Sequence, residues 1–325
     1  MKKLHAILAL AAMVTSFTAL GQDKEIHNYD SLGNPAGKYL FPKENGANLR
    51  ILDMNIWEWD GTREKLPQAW VEAGADCTNE VRSKGFAGLV KAYLPEVVGL
   101  QEYSPEMDPL LRPLLEKAGY KMTFMPDSIN YTPVFYRKYC VKLIETGYFS
   151  HAQPYNNRGT KSYTTAVFKL KKNGKKFIVI NTHLWWKSEK VTKGSDNARL
   201  IQLKNIMAEA LRLRSIHGNC PVFLIGDMNC NLRSEAMSNV LASGYRTAWD
   251  MATVFGDLRC GHHKCDKGGF SRKQNKTDDG FGCIDHFLIL DPSGQVEVKT
   301  FHRDYAWFTV MLTDHYPNYA DIYLP

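Results

Sequence analysis

Cysteine is scarce in this sequence. Seven in 325 residues are too few for a disulfide-stapled scaffold. Charge of one sign is scarce too. Lys and Arg number 41 against 34 Asp and Glu, a formal charge of +7, which permits an anionic ligand without requiring nucleic acid. After residue 21 no apolar run is long enough to span a bilayer as a helix, so no integral membrane contact is predicted. Internal repeats and low-complexity tracts are absent. With 44% hydrophobic and 23% charged residues, the composition excludes intrinsic disorder, collagen and a coiled coil and fits a globular chain that can bury a sizeable core.

The first 21 residues read as a secretory signal peptide. Lys2 and Lys3 form a positive start, Ala6 to Leu20 is apolar and uncharged, and Ala19-Leu20-Gly21 offers small residues for cleavage. Export to a periplasm or beyond the cell is therefore expected. Loss of Lys2 and Lys3 lowers the formal charge from +7 to +5. Residues 22–48 read as an irregular lead-in rich in Gly and Pro, and 49–325 as one domain. An exported chain can oxidise its cysteines. Cys260 and Cys265 are spaced for a local bridge, although Cys260-Gly261-His262-His263-Lys264-Cys265 could instead hold zinc or keep free thiols, and the odd total leaves at least one thiol unpaired.

Periodicity places strands at Leu49 to Ile56, Val97 to Gln101, Thr132 to Arg137, Thr164 to Leu170, Phe177 to His183, Pro221 to Ile225 and Ile284 to Leu290, with a last one after His315. Helices are expected over Asn79 to Tyr93, capped by Asn79 and stopped at Pro95, from Ser104-Pro105 to Gly119, and over Asp196 to Ser215. Lys171-Lys172-Asn173-Gly174 signals a hairpin. Residues 256–282 look like a long functional surface loop. This irregular alternation predicts sheets covered by helices.

Polar residues recur at the ends of the apolar runs: Asn55, Glu102, His183, Asp227, Asn229, Asp285, Asp314 and His315. Strand ends are where a rigid sheet can fix catalytic groups. The set suits phosphoester hydrolysis. Glu102 and Asp314 are hard oxygen ligands for Mg²⁺ or Mn²⁺. Asn55 and Asn229 can donate to phosphate oxygens or to metal-bound water. Asp227 can hold the attacking water, His315 can take its proton, and Asp285 can fix the His315 tautomer. A protonated His183 can neutralise phosphoryl oxygens or supply a proton to the leaving group.

Seven motifs in order carry a family resemblance: Leu52-Asp53-Met54-Asn55, Val98-Gly99-Leu100-Gln101-Glu102, Phe135-Tyr136-Arg137, Asn181-Thr182-His183, Gly226-Asp227-Met228-Asn229, Ile284-Asp285-His286 and Thr313-Asp314-His315-Tyr316-Pro317. Together they resemble the endonuclease/exonuclease/phosphatase superfamily with the deoxyribonuclease I fold, in the form of a secreted bacterial-type member. The resemblance implies an α+β, four-layer α/β sandwich: two packed, mostly antiparallel sheets flanked by helices. It implies a metal-dependent phosphoesterase with one tight Mg²⁺ or Mn²⁺ site at Glu102, with Asp314 and Asn55 near the metal. It further implies Asp227 and Asn229 around nucleophile and phosphate, Asp285–His315 as the base pair, His183 as phosphate binder or acid, and Arg199 as a further phosphate-side residue. A monomer acting on a phosphate ester is expected.

Two positions depart from the pattern. Trp57 stands where some members carry a second acidic ligand, which argues against a second tight metal. Asn130 or Tyr131 stands where the deoxyribonucleases place a Glu beside the acid His, so His183 is expected to lack a carboxylate partner of that kind. The substrate stays open among nucleic acid, a phospholipid headgroup such as that of sphingomyelin, and inositol phosphates, and a binding protein without catalysis is the non-enzyme alternative. Trp57, Trp59, Trp185 and Trp186 follow two of the motifs, either to stack on a substrate ring or to pack beneath loops.

Overall fold

The computed structural model describes residues 43–58, 78–255, 283–303 and 312–325. The signal segment, most of the lead-in, Trp59, Cys77 and the loop with Cys260 and Cys265 lie outside the described residues. In chain order the strands are β1 (Leu49–Asn55), β2 (Val97–Gln101), β3 (Tyr120–Met122), β4 (Val134–Arg137), β5 (Val141–Ser150), β6 (Ser162–Leu170), β7 (Lys176–His183), β8 (Val222–Asp227), β9 (Arg246–Thr247), β10 (Val254–Phe255), β11 (Asp285–Leu290), β12 (Glu297–Arg303) and β13 (Asn318–Tyr323). The helices are α1 (Asn79–Tyr93), α2 (Asp108–Lys117), α3 (Ser195–His217), α4 (Glu235–Ala242) and α5 (Ala248–Met251).

The strands form a seven-stranded sheet, β10-β12-β13-β1-β2-β4-β3, and a six-stranded sheet, β5-β6-β7-β8-β11-β9. Most pairings are antiparallel; β1–β2, β7–β8 and β10–β12 run parallel. Three apolar layers glue the stack. Phe86, Leu89 and Val90 of α1 and Leu111 and Leu115 of α2 bury against Leu52, Val98 and Leu100 of the first sheet. Leu203, Ile206, Ala210 and Leu213 of α3 cover Ile178, Ile180, Val222 and Leu224 of the second. Between the sheets lie Leu49, Ile51, Val97, Phe177, Val179, Phe223, Ile225 and Ile289. The order helix, sheet, sheet, helix is the four-layer sandwich that the family resemblance implies.

Side chains alternate across a strand with a period of two, and this positions the site. On β1, Leu49 and Ile51 face the other sheet, so Asp53 and Asn55 do as well. On β7 the same face reads Phe177, Val179, Asn181, His183; on β8, Phe223, Ile225, Asp227; on β11, read from its far end, Ile289, Phe287, Asp285. Each strand is apolar along most of its inward face and polar at one end, and the register aligns those ends: His183 pairs with Asp227, and Asp227 with Asp285. Two glycines permit the close approach. A Cβ on Gly99 would lie 2.7 Å from Ile225 Cδ1 of the opposite sheet, and one on Gly226, at φ +132°, would lie 2.0 Å from Thr182 O.

Local starts differ from expectation at two helices. α1 is capped by Thr78, whose Oγ1 accepts from Val81 N, and ends at Leu94 in the left-handed region before Pro95. α2 begins at Asp108 rather than Pro105, because Ser104 first closes a turn through bonds from Met107 N and Asp108 N to Ser104 O, and Pro109 then occupies the first helical turn.

Candidate functional site

The polar strand ends and the Thr313–His315 loop meet in one cavity lined by Glu102, His183, Asp227, Asn229, Asp314 and His315, with Glu58, Arg158, Lys161 and Trp186 at its walls and mouth. Two backbone features aim the first sheet's groups. Glu102 follows β2 at φ 58° and Trp57 follows β1 at φ 58°, left-handed positions that cost a non-glycine residue on the order of 1 kcal/mol. Asn55 Oδ1 accepts from Trp57 N at 2.9 Å, and Glu102 Oε2 accepts from Glu58 N at 2.6 Å. Arg82, buried on α1, donates to the carbonyls of Ile56, Trp57 and Leu312, while Thr313 Oγ1 donates to Asn55 O at 2.7 Å. These bonds tie the loop carrying Asp314 and His315 to the end of β1.

Across the gap, Asn55 Nδ2 donates to Glu102 Oε1 at 3.2 Å and to Asp227 Oδ2 at 3.0 Å, linking the two sheets' carboxylates. His315 Nδ1 lies 2.8 Å from Asp285 Oδ2 and 3.0 Å from Oδ1, which leaves Nε2 facing the cavity, 3.8 Å from Asp314 Oδ1 and 3.9 Å from Asp227 Oδ2. His183 Nε2 stands 3.4 Å from Asp227 Oδ2 and 3.8 Å from Glu102 Oε1. Asn229, left-handed at φ 51°, donates its N–H to Asp227 Oδ1 and its Nδ2 to Leu184 O. Seven of the nine residues singled out for catalysis, phosphate or metal thus touch one another in a chain of such contacts. Asn229 joins them through Asp227.

Arg199 is not brought to this cluster. It is buried on α3 and donates to Trp185 O, Lys187 O and Asp196. It shapes the loop after β7 instead of facing the cavity. Trp185 packs beneath that loop, its Nε1 donating to Ser195 Oγ at 2.9 Å, whereas Trp186 is 56% exposed at the mouth. Asn130, one candidate partner of His183, is fully buried elsewhere, donating to Phe124 O and accepting from Thr132 N and Thr164 Oγ1.

The group that meets His183 is one the sequence reading missed. Lys161 Nζ lies 2.6 Å from His183 Nε2 and 3.1 Å from Nδ1. An ammonium only donates, so a ring nitrogen accepts. Nothing local in Asn157-Arg158-Gly159-Thr160-Lys161 marks this lysine among the 41 Lys and Arg. Arg158 at the rim pairs with Glu58 at 2.9 Å.

The charges sort the groups. Burial would raise Glu102, but His183, Lys161 and His315 and the Glu58 amide outweigh it and hold the carboxyl at about 2. Burial pushes Asp314 up to about 7, with Glu102 adding repulsion. Burial alone would lower His315, yet Asp285, Asp314 and Asp227 drive it well above its ordinary range. His183 goes the other way, well below its ordinary range, through burial and the neighbouring Lys161. Burial and Lys161 thus oppose, and Glu102 favours, the protonated ring that an acid role for His183 requires.

The donor set fits a hard divalent cation. Asp314 Oδ1 is buried with no hydrogen-bond partner among the described residues, an unusual state for a carboxylate oxygen that a cation would satisfy. Glu102, His183 and Asp227 also place one ligand atom each within 4.8 Å of one another. Cys140, Cys220 and Cys230 are free thiols, Cys283 accepts from Arg303 Nη1, and no helix among the described residues is long and apolar enough to cross a membrane.

Solved structures share the architecture. An endonuclease/exonuclease/phosphatase from Bacteroides vulgatus is 22% identical at a TM-score of 0.64, covering 85% of this chain and 99% of its own. The mannosyl-6-phosphatase of Bacteroides thetaiotaomicron is 17% identical at 0.63, covering 84% and 99%. Truncated TDP2 of Caenorhabditis elegans is 19% identical at 0.59, covering 84% and 96%. These likenesses establish the fold. No curated protein matches the sequence. The Endonuclease/Exonuclease/phosphatase family profile matches residues 72–310. That span runs from before α1 to the segment preceding Asp314 and His315, and its members are divalent-metal-dependent hydrolases of phosphoester bonds. By that match over most of its length, carried on the sandwich that the family's solved members share, the chain belongs to the Endonuclease/Exonuclease/phosphatase family.

Proposed function

We propose that this protein is an exported, Mg²⁺- or Mn²⁺-dependent phosphoesterase that hydrolyses its substrate by in-line attack of water. The observation that carries the reading is the Asp285–His315 pair, with Nε2 turned toward Asp227 and Asp314 in the cavity that also holds Glu102. Asp227 orients the attacking water, His315 Nε2 takes its proton, and Asp285 keeps Nδ1–H in place through that transfer. Asn55 spaces Glu102 from Asp227. Glu102 and Asp314 are the residues that would hold the metal, which when bound supplies positive charge against the phosphoryl oxygens. That charge also opposes the rise in His315 basicity produced by the surrounding carboxylates, favouring the neutral ring a base needs.

The mouth favours a small polar ester such as a sugar phosphate. Trp186 offers one exposed ring face, with Asn157, Arg158 and Thr160 beside it for hydroxyl groups, and a mannosyl-6-phosphatase shares the fold. The test is hydrolysis by purified protein with Mg²⁺, with and without EDTA, across hexose phosphates, p-nitrophenyl phosphate, bis-p-nitrophenyl phosphate, plasmid DNA, RNA, sphingomyelin and inositol phosphates. EDTA-sensitive turnover is expected, greatest on hexose phosphates. No turnover of any ester by folded, metal-loaded protein would sink the enzyme reading, and faster turnover of DNA or sphingomyelin would sink the small-ester reading. Mass analysis of exported protein, expected to begin near Gln22, tests the signal peptide.

A further inference from the structure

Of the two Lys and Arg side chains among the described residues that line the cavity, Arg158 is exposed and Lys161 is buried. Lys161 is 7% exposed, yet among the described residues the only hydrogen-bonding partner of its Nζ is the His183 ring, and no carboxylate oxygen of those residues forms an ion pair with it. A buried ammonium without a counter-charge in contact costs the fold several kcal/mol. Such a group persists where something that binds there supplies the charge.

The chain also invests in holding it. Asn156, 1% exposed, clasps the loop that precedes β6: its Oδ1 accepts from Lys161 N at 2.8 Å, and its Nδ2 donates to Lys161 O at 2.9 Å, His151 O at 2.7 Å and Ser150 Oγ at 2.9 Å. His151 N adds a bond to Lys161 O at 2.9 Å. Both backbone polar groups of Lys161 are thereby fixed, and the side chain is delivered to the cavity from the second sheet, opposite Glu102 and Asp314.

We propose that Lys161 is a catalytic residue that binds a non-bridging oxygen of the substrate's phosphoryl group, in place beside His183. The proposal rests on the phosphoesterase reading of the same cavity. Its chemistry is specific. An ammonium brings a full charge and three donors, which suits a phosphate carrying two negative charges better than a diester carrying one, and it agrees with a monoester substrate.

The test uses the full mature protein loaded with Mg²⁺, comparing wild type, Lys161→Met and Lys161→Arg. Three quantities are measured: inorganic phosphate affinity by calorimetry, melting temperature with and without phosphate, and kcat and KM on whichever ester the wild type turns over. Loss of a charged hydrogen bond predicts phosphate binding at least tenfold weaker in Lys161→Met, with kcat reduced and the phosphate-induced rise in Tm abolished. Because a buried ammonium offset only by the more distant Glu102, Asp227 and Glu58 is gone, the phosphate-free Tm of Lys161→Met is expected to equal or exceed that of the wild type. Lys161→Arg is expected to keep more phosphate affinity than Lys161→Met. Phosphate affinity of Lys161→Met within twofold of wild type would overturn the proposal, as would a phosphate-free Tm well below wild type in both variants, which marks a structural role. If the wild type hydrolyses no ester but its phosphate binding still needs Lys161, the enzyme reading falls and the anion-binding role stands.

Discussion

The two ends of the space between the sheets are built from the same strands and do opposite work. At one end Leu49, Ile51, Val97, Phe177, Val179, Phe223 and Ile289 fill the gap with fully buried apolar side chains. At the other end Asp53, Asn55, Gln101, Asn181, His183, Asp227 and Asp285, equally buried, fill it with polar groups. Gln101 Nε2 bridges Asp53 Oδ1 at 2.7 Å and Asn181 Oδ1 at 2.6 Å, and Asn181 Nδ2 donates to Leu100 O. The apolar half stabilises the fold by taking carbon out of water. The polar half is held by that stability in geometries and charge states it would not adopt alone. Burial raises Asp53 well above its usual range, with Asp285 adding repulsion. Stability and chemistry are thus separated along each strand by only two or three residues.

Substitutions at the two ends should separate in what they damage. Of these the largest effect belongs to Asp285→Asn, which replaces the carboxylate that fixes Nδ1–H of His315 with a neutral amide that can also donate. Steady-state turnover should fall about 10²–10⁴-fold with little change in Tm, and a loss below threefold would remove His315 from the base role. Phe223→Ala deletes a ring packed edge-on between Phe177 and Phe287 at centroid distances of 5.9 and 6.2 Å. It should cost about 3–5 kcal/mol in denaturant unfolding while kcat of the folded fraction stays near wild type; a selective loss of kcat would break the division between the ends.

Proton linkage offers a comparable but reversible effect. Asp314 titrates at about 7 in the fold against an ordinary 3.8, so the folded state favours its protonated form. Its stabilising contribution is present below pH ~4 and lost as pH rises through 7, and a shift of about three units corresponds to roughly 4 kcal/mol. In chelator-treated protein Asp314→Asn should therefore melt above wild type at pH 8 and equally at pH 4. The reverse ordering at pH 8 would contradict the account. The smallest effect lies on the boundary. Gly99→Ala drives a methyl group to within 2.7 Å of Ile225 Cδ1 and 2.9 Å of Asn181 Oδ1. Overpacking of about 1–3 kcal/mol, read by thermal melts, should be accompanied by a modest fall in kcat, because the same methyl presses on the Asn181–Gln101 bond.

The polar half was the more legible in sequence, which is the reverse of the usual order. Apolar runs that end in Asn, Glu, His or Asp stand out, and their alternation predicts which residues share a face. The apolar half was read in its central strands and missed at its margins. β5 and β12 escaped notice because edge and half-exposed strands mix charged residues such as Lys142, Glu145 and Lys299 into the pattern. Lys161 and Arg82 escaped for another reason: each acts through distant partners, His183 for one and the Ile56 and Leu312 carbonyls for the other, so no neighbour in sequence distinguishes them from solvated charges. Arg199 was misplaced because its position after a Thr-His motif says nothing about direction, and its guanidinium turns to the loop carbonyls of Trp185 and Lys187.

The central claim is that the polar end is a metal-dependent phosphoester centre organised around Glu102. Its most direct test is Glu102→Gln, followed in parallel by Mg²⁺ titration calorimetry, thermal melting and hydrolysis of the best wild-type substrate. The account predicts a folded protein that melts close to wild type, binds Mg²⁺ far more weakly and has lost at least a thousandfold in turnover. A variant that retains wild-type Mg²⁺ affinity and hydrolyses the ester at the wild-type rate would contradict it.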